Sequence, residues 1–211
     1  MSVKPILFNC EMVRAILEGR KTVTRRLIRP RYKPDECGFQ VITRCDTGER
    51  IYVEKFDEWE VGFENPRYVN PPYQVGDTLY VRETWRPYKD GYLYKATCND
   101  DWDGLWKPSI HMPKDAARIW LRVKEVRIEK LQEITKKQAG AEGVSYETDN
   151  SGLMRISQFI KLWNSTLAAD DLEEYGWKAN PWVWVIEFER CEKPRENAKK
   201  IYTEQKVSIQ K

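Results

Sequence analysis

Apolar residues change period several times along the chain, and each change marks an element. Pro5 to Phe8 is a short apolar run suited to a first strand. Asn9 can then cap a helix over residues 10–18, in which Val13, Ile16 and Leu17 fall at the spacing i, i+3, i+4. Gly19 is placed to stop that helix in the left-handed conformation. Residues 22–28 read as a strand, which Pro30 and Pro34 end. Phe39–Arg44 and Arg50–Lys55 form a hairpin through Asp46-Thr47-Gly48. Residues 56–73 are an irregular insert containing Pro66, Pro71 and Pro72.

Val75-Gly76-Asp77 is a turn into a strand from Thr78 to Thr84, and Tyr92–Thr97 is another strand. Residues 98–115 read as a long loop rich in Asp, Trp and Pro. Ile119, Leu121 and Val123 alternate, but the phase then slips to Val126 and Ile128, which predicts a bulge near Lys124-Glu125. Thr135 and Gln138 form a capping box for a short helix ending at Gly143. Ile156, Phe159, Ile160 and Trp163 mark an amphipathic helix over 154–165. The last strand runs from Trp182 to Phe188, with Trp182, Trp184, Ile186 and Phe188 on one face. There is no β-α-β alternation, glycine-rich phosphate loop or internal repeat. The fold class is therefore α+β: a small, mostly antiparallel β-barrel with peripheral short helices and inserted loops.

Composition narrows the class. The 211 residues suit one domain, taken as 1–192, followed by a polar basic tail, 193–211. Nine Trp and eleven Tyr argue against a disordered chain. No run approaches the roughly 20 apolar residues that span a bilayer, and Met1-Ser2-Val3-Lys4-Pro5 lacks the apolar core of a secretory signal. The expectation is a cytoplasmic protein with no membrane partner. Five widely spaced cysteines and one His, with no Cys-x-x-Cys pair, point to reduced thiols and to neither a metal nor a cofactor. Cys37 and Cys45 could nevertheless face each other across the hairpin.

Charge sharpens this. The formal net charge is +3, yet seven of the fourteen residues 20–33 are Lys or Arg. A basic stretch on an otherwise acidic body suits a directed anion site, such as a nucleotide or nucleic acid; a solvated charged surface is the plainer reading.

Gly19-Arg20-Lys21-Thr22-Val23-Thr24-Arg25-Arg26 resembles the glycine–lysine–arginine signature of the ASCH family, within the PUA-like superfamily of small β-barrels. Gly76-Asp77-Thr78-Leu79-Tyr80-Val81 resembles the Gly-Asp strand that follows the signature. Val81-Arg82-Glu83-Thr84-Trp85 and Asn180 to Phe188 look like the longer ASCH-like proteins common in phage genomes. The resemblance spans about residues 4–190, with inserts at 35–70 and 98–115. It implies binding of RNA or a modified nucleoside. One bacterial branch with a minimal domain removes the acetyl group from N4-acetylcytidine, using a Lys and a Thr of the signature and a Glu of a later short helix. Carried over by position, these are Lys21, Thr24 and Glu142. The present chain is about twice the minimal size and departs from that branch in its inserts. The alternative reading is a phage-associated accessory or assembly protein that works through a protein partner.

Amide hydrolysis needs a nucleophile, a proton acceptor and a site for the oxyanion. A Thr hydroxyl needs a neighbouring base, and a Lys amine can supply one when burial or nearby cations lower its pKa. Glu142 would orient Lys21 or relay its proton. Arg20, Arg25 and Arg26 are the candidate anion-binding residues, and Arg25 or Arg26, or backbone N–H groups near Gly19, could hold the oxyanion. On a regular strand Lys21 and Thr24 face opposite ways, so the set requires Lys21 to belong to the turn after Gly19. Glu83, beside basic Arg82, is either a hydrogen-bond acceptor for a base edge or an ion-pair partner. Trp85, Tyr88, Trp102 and Trp106 could stack on a base or cover the barrel mouth. Trp120, Trp163, Trp182 and Trp184 lie on core faces, and His111 is read as a loop residue rather than a base.

Overall fold

The computed structural model describes residues 2–29, 38–43, 50–55, 68–98, 104–144 and 153–194. These residues form β1 (Val3–Leu7), α1 (Cys10–Leu17), β2 (Val23–Leu27), β3 (Gly38–Thr43), β4 (Arg50–Lys55), β5 (Thr78–Arg82), β6 (Trp85–Tyr88) and β7 (Gly91–Tyr94). There follow β8 (Trp120–Lys130), α2 (Lys136–Ala141), α3 (Leu153–Ser165), α4 (Leu172–Tyr175) and β9 (Trp182–Cys191). Cys37, Cys45, the hairpin turn at 46–48, Trp102 and the tail from 195 onward lie outside the described residues. Cys10, Cys98 and Cys191 are free thiols.

Five strands make one sheet in the order β1-β5-β8-β9-β2. Its pairings are antiparallel except for β1 with β5, which run parallel. Among the described residues, main-chain bonds do not close the sheet into a barrel. It curls until its two edge strands lie one side chain apart, and Arg26 Nη2 of β2 donates to the Leu7 carbonyl of β1 at 2.8 Å.

Local chemistry explains the boundaries. Asn9 Oδ1 accepts from the Met12 amide at 2.9 Å and starts α1, and Gly19 follows it at φ +76°. The β8 ladder shifts register between Val123 and Glu125, where the apolar phase slips. Thr135 and Gln138 exchange side-chain bonds with each other's amides at the start of α2. At the head of β5, Asp77 accepts from the Ser2 and Gln74 amides and pairs with Lys4 at 2.8 Å.

Some expectations need correction. The strand expected over 78–84 stops at Arg82, and the chain re-enters strand at Trp85 to pair with Tyr94. The 98–115 segment holds two 3-10 turns, Ser109–His111 and Lys114–Ala116. β9 buries both faces rather than one: Trp184, Ile186 and Phe188 enter one core with Ile6, Leu79 and Leu121, while Val183 and Val185 pack with Phe159 and Trp163 of α3. Within the 35–70 insert, β4 adds to the core. Tyr52 of β4 meets Trp184 edge-on at 4.7 Å, and its hydroxyl donates to the Val126 carbonyl at 2.8 Å.

Candidate functional site

Gly19 turns the chain so that the Arg20 and Lys21 amides both reach the Ala15 carbonyl at the end of α1. Lys21 therefore precedes β2 instead of belonging to it, and it bridges Glu142, the residue that ends α2. The Thr22 amide bonds the Ala141 carbonyl at 2.9 Å and fixes the same junction. Gly143 follows at φ +90°; a Cβ there would stand 2.7 Å from Ala15 Cβ and 2.9 Å from Lys21 Cβ. Only glycine meets both demands.

Even-numbered residues of β2 turn their main-chain groups toward β9, as Phe188 N to Thr22 O and Ile28 N to Trp182 O show. The Val23 carbonyl is left at the free edge. Lys21 Nζ occupies that edge, donating to Val23 O at 2.8 Å, Glu142 O at 2.9 Å and Glu142 Oε2 at 2.7 Å. Its side chain is wholly buried. Burial lowers the Lys21 pKa from its ordinary value of 10.5, against an opposing pull from Glu142, and the charges of Arg26 and Arg25 lower it further.

Arg25 approaches Glu142 from the other side, Nη1 to Oε1 at 3.1 Å, while its Nη2 meets Glu129 Oε2 at 3.1 Å. Arg127 then joins Glu129 to Glu187. The result is an alternating chain of charges from the buried amine across the sheet. Arg26 lies on the Trp184 face, its guanidinium 5.4 Å from the centre of the Phe8 ring, which also lies 5.5 Å from Lys21 Nζ. A cavity of about 410 Å³ opens beside Arg26, walled by Leu7, Leu27, Asn70, Tyr73 and Trp184. A second, of about 490 Å³, opens on the other side of Glu142, between α1, Gly143 and α3.

The expected residues separate into two groups. Lys21, Glu142 and Arg25 are in direct contact, and Arg26 shares the Phe8 ring with the amine. Arg20 borders the second cavity, donating to the Gly143 carbonyl at 2.6 Å. Thr24 is buried opposite Ile186, and its hydroxyl makes no hydrogen bond among the described residues. Glu83 and Trp85 lie apart from this cluster. Glu83 takes a two-pronged ion pair from Arg118, with both contacts at 2.9 Å. Trp85 packs with Met112, Ala116 and Trp120 in a third core cluster. No hydrogen bond or ion pair joins either to Lys21 among the described residues. Glu129 and Arg127 escaped the sequence reading, although Glu125-x-Arg127-x-Glu129 alternates on one strand face and was legible as a charged stripe. Phe8 gave no signal beyond its apolarity. Among the described residues, no three or more His, Cys, Asp or Glu side chains are placed to hold a metal ion. No described helix is long and apolar enough to cross a membrane.

No family model matches the chain, and no curated protein matches it. Its structure is similar to the crystal structure of an ASCH domain from Lactobacillus crispatus JV V101. That match has 12% sequence identity and a TM-score of 0.39, covering 90% of this chain and 79% of the other.

Proposed function

We propose that the protein binds a nucleoside, free or within RNA, at the free edge of β2 and hydrolyses an amide on its base, with N4-acetylcytidine as the substrate. The observation that carries this reading is the Lys21 amine. It is wholly buried, with a lowered pKa, bonded to a carboxylate and one peptide away from Thr24. Lys21, once deprotonated and held by Glu142, exchanges the Val23 carbonyl for the Thr24 hydroxyl, whose proton it takes. Thr24 Oγ1 adds to the acetyl carbon, and the C–N4 bond breaks as Lys21 returns the proton to N4. A water activated in the same way releases acetate from the threonine ester. Arg26 supplies the cation for the oxyanion.

The test is acetate release from N4-acetylcytidine. Lys21→Ala and Thr24→Ala should each lower the rate by about a hundredfold or more. The Thr24 variant should keep stability near wild type; the Lys21 variant comes at a cost in stability, so its rate is read where circular dichroism shows it folded. The wild-type rate should climb with pH as Lys21 loses its proton, at a pH below its ordinary 10.5. Lys21→Arg, which cannot deprotonate, should lack both the activity and that limb. Absence of turnover in the wild type would remove the hydrolase. Salt-sensitive RNA binding would then remain as the tested property.

A further inference from the structure

The hairpin of β6 and β7 carries aromatic and cationic surface that neither the core nor the β2 edge uses. Tyr88 is 46% exposed and Tyr92 39% exposed. The Arg86 guanidinium lies 5.6 Å from the centre of the Tyr88 ring and 5.5 Å from that of Trp106. Lys89, held at the hairpin tip with φ +47°, sits 5.2 Å from Tyr88, and Lys107 sits 5.4 Å over Trp85. Cations also rest on rings elsewhere, Arg26 on Phe8 and Lys130 on Trp182, whereas Lys21, Arg25, Arg118 and Arg127 meet carboxylates. Lys89 and Lys107 are ion-paired with no described residue. Lys89 and Lys107, resting on rings, keep an outward charge available, and the Tyr88 and Tyr92 rings stay accessible. The one acid within the hairpin is Asp90, while Asp100, Asp101 and Asp103 fall in the undescribed segment 99–103.

We propose that this face docks single-stranded nucleic acid, with bases stacked on Tyr88 and Tyr92 and phosphates against Lys89 and Lys107. Flat exposed rings separated by cations match a strand that offers base faces and phosphates in turn. A duplex hides its base faces. A protein partner is better served by an apolar centre depleted of charge, which this face lacks. The surface is distinct from the β2 edge, and it extends the nucleoside reading to a polynucleotide held at a second place.

The experiment is fluorescence anisotropy with a labelled oligouridylate of about 20 nucleotides, long enough to cover more than one such site. Wild type should bind at about 50 mM salt and weaken steeply by about 200 mM. Tyr88→Ala with Tyr92→Ala should weaken binding by about tenfold or more, and the corresponding Phe pair should restore it, because stacking needs the ring and not the hydroxyl. Lys89→Glu and Lys107→Glu should each flatten the salt dependence by about one phosphate contact. An RNA duplex should compete poorly. The proposal is overturned if wild type fails to bind at low salt, or if the duplex competes equally. It is also overturned if the double Ala variant, with unchanged circular dichroism and Tm, binds like wild type. Oligouridylate carries no acetylated base, so this binding is read without the chemistry at β2, and either result can fail alone.

Discussion

At Lys21 a charge is wholly buried, and the three donors of its ammonium meet three oxygens. Desolvating such a pair is costly, so its bonds largely repay what burial takes. The consequence lies in the asymmetry between removing one partner and removing both. Glu142→Ala would strand Lys21, and leave Arg25 with only Glu129, at an expected cost of about 3–5 kcal/mol. Replacing both members, as Lys21→Met with Glu142→Leu, should cost distinctly less in a urea titration, because no charge is left unpaired. A double variant no more stable than Glu142→Ala would mean that the packing of this junction, rather than the charge, sets its stability.

At the scale of elements, the site depends on a helix too short to be stable alone. α2 has six residues, and isolated helices of that length do not persist in water. Two features hold it: the capping box of Thr135 and Gln138, and the burial of Ala139 beneath α3 in the core with Phe159. Thr135→Ala should lower stability by about 1 kcal/mol by urea denaturation. Because α2 ends on Glu142, the same change should lower activity on N4-acetylcytidine even where the protein stays fully folded. Loss of stability with no loss of activity would show that the strand bridge at Lys21 positions Glu142 without help from the cap.

For the whole molecule, the first residues are tied to the head of β5 through Asp77, which joins β1 to its parallel neighbour. Burial alone would raise the Asp77 pKa, but the Lys4 ammonium, the Ser2 and Gln74 amides and the Ser2 hydroxyl outweigh it and hold the carboxyl far below its usual range. A carboxyl depressed in the folded state adds stability above its unfolded pKa of about 3.9, and that stability is lost as pH falls toward the folded value. Asp77→Asn should therefore be less stable than wild type near neutrality, and the gap should narrow between about pH 5 and pH 2. A gap in the urea midpoint that stays constant over this range would assign the loss to packing instead.

The sequence by itself determined what short-range chemistry determines. Asn9 and Gly19 bound α1, Thr135 and Gln138 start α2, and the phase slip after Val123 places the bulge, because each signal is complete within a few residues. The break after Arg82 was not legible, because pairing partners across the sheet fix strand ends. The second buried face of β9 was legible in the unbroken apolar run Trp182–Ile186, which alternation onto a single face does not explain. The same division runs through the site. A glycine, a lysine and a run of arginines announced a basic turn in the sequence. Only the tertiary structure decided that the Lys21 amine closes the free edge of β2 against Glu142, some 120 residues away in the chain. Only it separated Glu83 and Trp85 from that cluster. Charges choose partners by distance through space, and the sequence states distance only along the chain.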